Sequence, residues 1–105
     1  MFVHNGIRTW QAKHRGTAYS DYGTAWGANQ TKWGKKGSHT CGKSYAVLVT
    51  ISTIECSDET IGTSYQAYYQ FEVSSLVKGV GLEFDVVAKW KLTKKGKVST
   101  SVQQF

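Results

Sequence analysis

His4, His14 and His39 are the residues of this chain best suited to move a proton near neutral pH. Set against one another, or against Glu55, Glu59 or Glu72, they could supply the general acid and base that cleave a phosphodiester. That chemistry needs two such groups on one scissile phosphate. Spacing along the chain brings none of them together, so a toxin-type ribonuclease using His14 and His39 stands as the alternative reading. Cys41 and Cys56 have no CxxC spacing, and with scattered histidines they do not compose a zinc set. The expectation is a protein with no metal, no cofactor and no enzymatic activity.

The second chemistry is recognition. Residues 15–42 mix Tyr19, Tyr22, Trp26 and Trp33 with glycine and with Lys32, Lys35 and Lys36, and hold almost no aliphatic residue. Aliphatic side chains build cores, so this segment cannot carry one alone. Exposed aromatics beside cations offer flat apolar area, a polar tip and charge. Arg15, Tyr19, Tyr22, Trp26, Trp33, Lys35 and Lys36 are the expected ligand contacts, with the aromatics stacking on sugar rings or bases. At least one aromatic, Trp26 first, is expected to turn inward as a lid.

The elements that must hold these residues read as strands. Phe2 to Trp10 has the pattern of a β-hairpin turning at Asn5-Gly6, which supplies the two positive-φ positions of a type I′ turn. Ser44 to Ile54 is dense in β-branched residues. In Tyr65 to Val73, residues Tyr65, Ala67, Tyr69, Phe71 and Val73 share one face. In Glu83 to Thr93, residues Phe84, Val86, Ala88, Trp90 and Leu92 face in, and Lys94-Lys95-Gly96-Lys97 turns the chain into a return strand at Val98, Thr100 and Val102. No window carries a capped helical stripe. The expected fold is all-β: one antiparallel β-sandwich domain over residues 1–105, with a long Gly- and aromatic-rich loop segment.

The cysteines pose a geometric question. Residues 43–55 read as one strand, and a straight strand of that length separates its ends by roughly 45 Å. A disulfide needs Cα atoms within about 7 Å. Either the segment folds back near Thr50 to Thr53, or Cys41 and Cys56 do not pair within the chain. Pairing would argue for an oxidising compartment.

A length of 105 residues suits one domain with a real core. Moderate charge, abundant aromatics and no proline exclude a disordered composition. The formal charge of +6 admits anionic partners: nucleic acid, acidic cell-wall polymer or lipid headgroups. It also suits a solvated basic surface that only keeps the protein soluble. No apolar run is long enough for a transmembrane helix. Met1 to Gly6 turns polar at once and is no signal peptide, so a secreted form would have lost its leader.

Trp10-Gln11, Gly16-Thr17-Ala18-Tyr19-Ser20-Asp21-Tyr22, Gly37-Ser38-His39-Thr40 and the later Tyr68-Tyr69 together resemble the arrangement in lactococcin 972-like bacteriocins. The pieces cover about a third of the chain. The chain departs from that family in its two cysteines, its greater length, and Phe84 to Phe105, which has no counterpart. The resemblance implies a secreted β-sandwich that binds an anionic cell-envelope glycan or lipid-linked peptidoglycan precursor. Non-toxic carbohydrate or nucleic-acid binding is the remaining alternative.

Overall fold

The structure, a computed structural model, describes residues 2–4, 10–46, 49–75 and 83–105. Among these there is no helix, and every strand pairing is antiparallel. Two sheets face each other. One has the order β1-β2-β7, from β1 (Phe2–His4), β2 (Trp10–Thr17) and β7 (Ser38–Ala46). The other has the order β11-β10-β9-β8, from β8 (Val49–Ile61), β9 (Ser64–Ser75), β10 (Glu83–Leu92) and β11 (Val98–Gln104). The expected all-β sandwich is present. The aromatic segment is more ordered than a loop. It holds two small ladders, β3 (Tyr19–Ser20) with β4 (Ala25–Trp26) and β5 (Thr31–Lys32) with β6 (Lys35–Lys36).

Strand β9 organises the core. Its alternation puts Tyr65, Ala67, Tyr69, Phe71 and Val73 on one face, and all five are fully buried. The face is covered in two parts. Trp10 and Ala12 of β2 pack with Tyr69, Phe71, Val73, Val86 and Ala88, and Trp10 meets Phe71 edge-on at 5.7 Å between ring centres. Farther along, Tyr65, Ala67 and Leu92 pack against Ala25 of the aromatic segment, with Ala18 and Trp90 at the margin. A Cβ on Gly27 would collide with the Tyr65 ring, so only glycine lets the segment lie this close.

Several expectations need correction. The Ser44–Ile54 segment is not one strand. It divides between Ala46 and Val49, and its halves belong to opposite sheets. Nothing bends at Thr50 to Thr53, because Thr50 through Thr53 stay in register with Ser74 through Phe71 of β9. The sequence hid the break, since Ala46-Val47-Leu48-Val49 has no turn-forming residue. The Asn5-Gly6 turn lies outside the described residues. The register sets His4 opposite Gln11, whereas a two-residue turn at Asn5-Gly6 would set it opposite Ile7. Phe84 and Trp90 occupy the inward face as expected but are only half-buried, Phe84 against Trp10 and Trp90 against His14 and Gly16 of β2.

Cys41 and Cys56 form a disulfide, with Cα atoms 6.1 Å apart, and it ties β7 of one sheet to β8 of the other. A bulge in β8 makes this geometry work. The register shifts between Thr53 and Glu55, so Thr53 stands opposite Phe71 and Cys56 opposite Tyr69. One extra residue, Ile54, thereby keeps both Thr53 and Cys56 on the inward face despite their odd spacing. Closing a loop of sequence separation 15 stabilises the fold by about 3 kcal/mol on the chain-entropy account.

Phe71→Ala should lower unfolding free energy by about 3–5 kcal/mol in a urea titration, as large aromatic truncations in a core do. Val102→Ala, on the exposed return strand, should change it by less than about 0.5 kcal/mol. Equal effects would show that the β9 face is not the principal core.

Candidate functional site

Two arrangements carry chemistry, one on the surface and one between the sheets. The surface arrangement begins with a two-residue turn. Thr31 pairs with Lys36 and Lys32 with Lys35, leaving Trp33-Gly34 as the turn. Both residues have positive φ, 57° at Trp33 and 72° at Gly34. A type I′ turn needs that geometry and normally takes Asn-Gly. A tryptophan there is strained by its own Cβ. It gains little packing in return, because Trp33 is 76% exposed.

Asp21 holds the arrangement together. Its Oδ1 accepts from the backbone N–H of Gly23 at 3.0 Å and of Thr24 at 2.8 Å, which shapes the β3–β4 turn. Its Oδ2 accepts from the Trp33 indole N–H at 2.9 Å and pairs with the Lys32 ammonium at 2.9 Å. The indole N–H, then the ammonium, hold the Asp21 carboxyl well below the usual carboxylate range. Tyr22 also sits at positive φ, 67°, and is 80% exposed. Its backbone N–H donates to the Lys94 carbonyl at 2.9 Å. Three turns are therefore linked: the Trp33 turn, the Tyr22 turn, and the Lys94-Lys95-Gly96-Lys97 turn between β10 and β11.

The expected ligand residues do not share one role. Tyr22 and Trp33 are displayed, and Lys36 on the β6 strand is exposed. Tyr19 is half-buried, with the Lys35 ammonium 5.5 Å from its ring centre. Trp26 is the inward lid: it is 2% exposed, and its indole N–H donates to the Lys35 carbonyl at 2.9 Å. Its faces meet Tyr19 and the Lys32 ammonium. Trp26 thus serves as support for the displayed residues and is corrected as a stacking surface. Arg15 belongs to another feature, a groove of about 520 Å³ over β2 and β7 with Lys13 and Lys43 along it. The sequence reading missed that basic groove. The signal available was Lys13 and Arg15, two apart on one strand and so on one face.

The second arrangement lies between the sheets. His14 of β2 stands opposite Cys41 of β7, and Gly16 stands opposite His39. Directly opposed residues share a face, so both histidines and Cys41 point inward. His14 is fully buried. The two Nε2 atoms lie 2.7 Å apart, and His39 Nε2 lies 3.5 Å from Cys41 Sγ. Rings of Tyr69 and Trp90 close the space, 5.7 Å and 6.2 Å from the His14 ring. Glu55 and Glu59 are exposed, and Glu72 is held by Ser74, so none of the three carboxylates joins the pair. His4 belongs to β1. One nitrogen of the pair must donate and the other accept, which fits two neutral imidazoles. Burial, then the neighbouring His39, push the His14 pKa down to about 4, and burial likewise lowers that of His39.

Two outcomes follow from this geometry. Trp33→Asn should leave thermal stability unchanged or raised, since asparagine suits positive φ better; a large fall in the melting temperature would show that Trp33 supports the fold. For His14 the folded pKa lies below the ordinary 6.5, so the unfolded chain takes up protons first as pH falls. The contribution is fully present above about pH 6.5 and is lost progressively towards about pH 4, by up to roughly 3 kcal/mol. Urea unfolding at both ends of that window should show the loss in wild type and a smaller one in His14→Leu. No protein-family model, no curated protein and no solved structure matches the chain, so the functional reading rests on these residues.

Proposed function

We propose that this chain is a non-enzymatic binding protein: a secreted, bacteriocin-like antibacterial protein that engages an anionic cell-envelope component such as a lipid-linked peptidoglycan precursor. The observation that carries the reading is the display of Trp33 and Tyr22. Both are bulky aromatics held at positive φ and left in solvent, and both are braced by Asp21 or its turn. Backbone strain without a packing return is characteristic of sites kept for a partner. Lys32, Lys35, Lys94, Lys95 and Lys97 belong to the same linked turns and add positive charge, which suits phosphate or carboxylate beside a flat sugar face. The sequence resemblance to lactococcin 972-like bacteriocins points to the same class of target.

The ribonuclease reading gains one observation, the meeting of His14 and His39 at 2.7 Å. It loses on access. His14 is fully buried and held neutral, so its nitrogen does not face a phosphate from solvent. A non-toxic carbohydrate- or nucleic-acid-binding module would use the same displayed aromatics and differs only in target.

The discriminating experiment titrates the protein against a purified lipid-linked peptidoglycan precursor, a neutral polysaccharide and single-stranded RNA at two salt concentrations, beside a growth-inhibition assay. Precursor binding with inhibition is expected. Trp33→Asn should weaken binding by about 1–3 kcal/mol, the scale of one stacked aromatic. Replacing Lys35 and Lys36 with Gln should weaken it mainly at low salt, because exposed charges are screened over about 8 Å in physiological salt. RNA cleavage abolished by His39→Ala would support the nuclease instead. Equal binding by wild type and both variants would remove the site from this surface.

A further inference from the structure

We propose that the Cys41–Cys56 disulfide masks a zinc site, and that on reduction Cys41 joins His14 and His39 in holding the ion, with Cys56 released alongside as the fourth ligand. The proposal does not depend on the function proposed above. One ring nitrogen each of His14 and His39, and Cys41 Sγ, all lie within 4.8 Å of one another. Tetrahedral zinc has bonds of about 2.0–2.1 Å to nitrogen and about 2.3 Å to sulfur, so its ligand atoms stand roughly 3.3–3.8 Å apart. The His39–Cys41 separation of 3.5 Å already matches. The imidazole nitrogens, at 2.7 Å, need to part by only about 0.6 Å to admit the ion.

The surroundings fit a structural metal site. His14 Nε2 is aimed at His39, while its Nδ1 is buried with no hydrogen-bond partner among the described residues. Trp90 meets the His39 ring edge-on and Tyr69 meets the His14 ring, so aromatic rings flank both histidines. Cys56 is exposed, so a reductant can reach the disulfide.

The chemistry balances. A dithiol or phosphine reductant supplies two electrons to the Cys41–Cys56 bond and is itself oxidised. Two protons complete the thiols. Zinc then displaces both thiol protons, and neutral imidazoles bind with no further proton release. The same pair of strands is thereby held in either redox state, covalently when oxidised and through the ion when reduced.

The test uses cobalt(II) as a spectroscopic stand-in for zinc, with a phosphine reductant and circular dichroism to follow the fold. The reduced chain should bind one equivalent, with a thiolate-to-cobalt charge-transfer band and the intense visible bands of tetrahedral cobalt. The oxidised chain should show neither. His39→Ala should weaken binding in the reduced chain by roughly tenfold or more. Cys56→Ser cannot form the disulfide, keeps Cys41 and both histidines, and should bind cobalt through one thiolate with no reductant present. Reduction that unfolds the chain, followed by recovery of the β spectrum on adding metal, also supports the site. The proposal is overturned if the reduced chain gives no charge-transfer band, whether it is folded or unfolded. It is equally overturned if the band is unchanged in His39→Ala, which would mark adventitious binding by the thiols alone.

Discussion

One apolar face must be covered along its whole length, and the rest of the molecule is arranged to do it. That face belongs to β9. Five alternating residues, Tyr65 to Val73, are fully buried. Strands β8 and β9 are long, 13 and 12 residues, within a body 53 Å in its longest dimension. The three-stranded sheet reaches only part of this surface, around Tyr69, Phe71 and Val73. Exposed apolar area of that size is costly in water. The aromatic segment takes the remainder: Ala25 lies on Tyr65 and Ala67, and Gly27 allows the close approach. A segment too poor in aliphatics to build a core can still finish one.

That division of labour explains the behaviour of the four aromatics of the segment. Its inner side supplies Ala25 and Trp26 to burial, and its outer side is free to display Tyr22 and Trp33. Trp26 keeps its indole N–H satisfied by the Lys35 carbonyl, which lets the ring be buried without an orphaned donor. The outer pair gains nothing comparable from packing and is instead fixed by Asp21 and by the positive-φ turns. Rigid presentation lowers the ordering cost when a partner binds.

The junction between the two covers is where the sheets are tied. The disulfide and the His14–His39 pair lie beside Tyr69 of one apolar cluster and Trp90 of the other. A neutral imidazole pair suits such a place, because each ring satisfies a polar atom of its partner away from water.

Much of the fold could be read from the chain because it depends on local alternation. The inward faces of β9 and β10, the Lys94 to Lys97 turn and the return strand are all written in period-two patterns or in turn chemistry that a neighbouring residue supplies. What depended on long-range pairing was hidden. The break between Ala46 and Val49 has no turn residue to announce it, because it is imposed by two sheets competing for the two halves of an apolar run. The disulfide required that break together with the bulge at Ile54. His14, His39 and Cys41 carried a partial signal: His39 and Cys41 are two apart, and His14 continues the inward alternation of Trp10 and Ala12. Their convergence, however, is set by the β2–β7 register, and register is a property of two strands and the core they enclose, not of either strand alone.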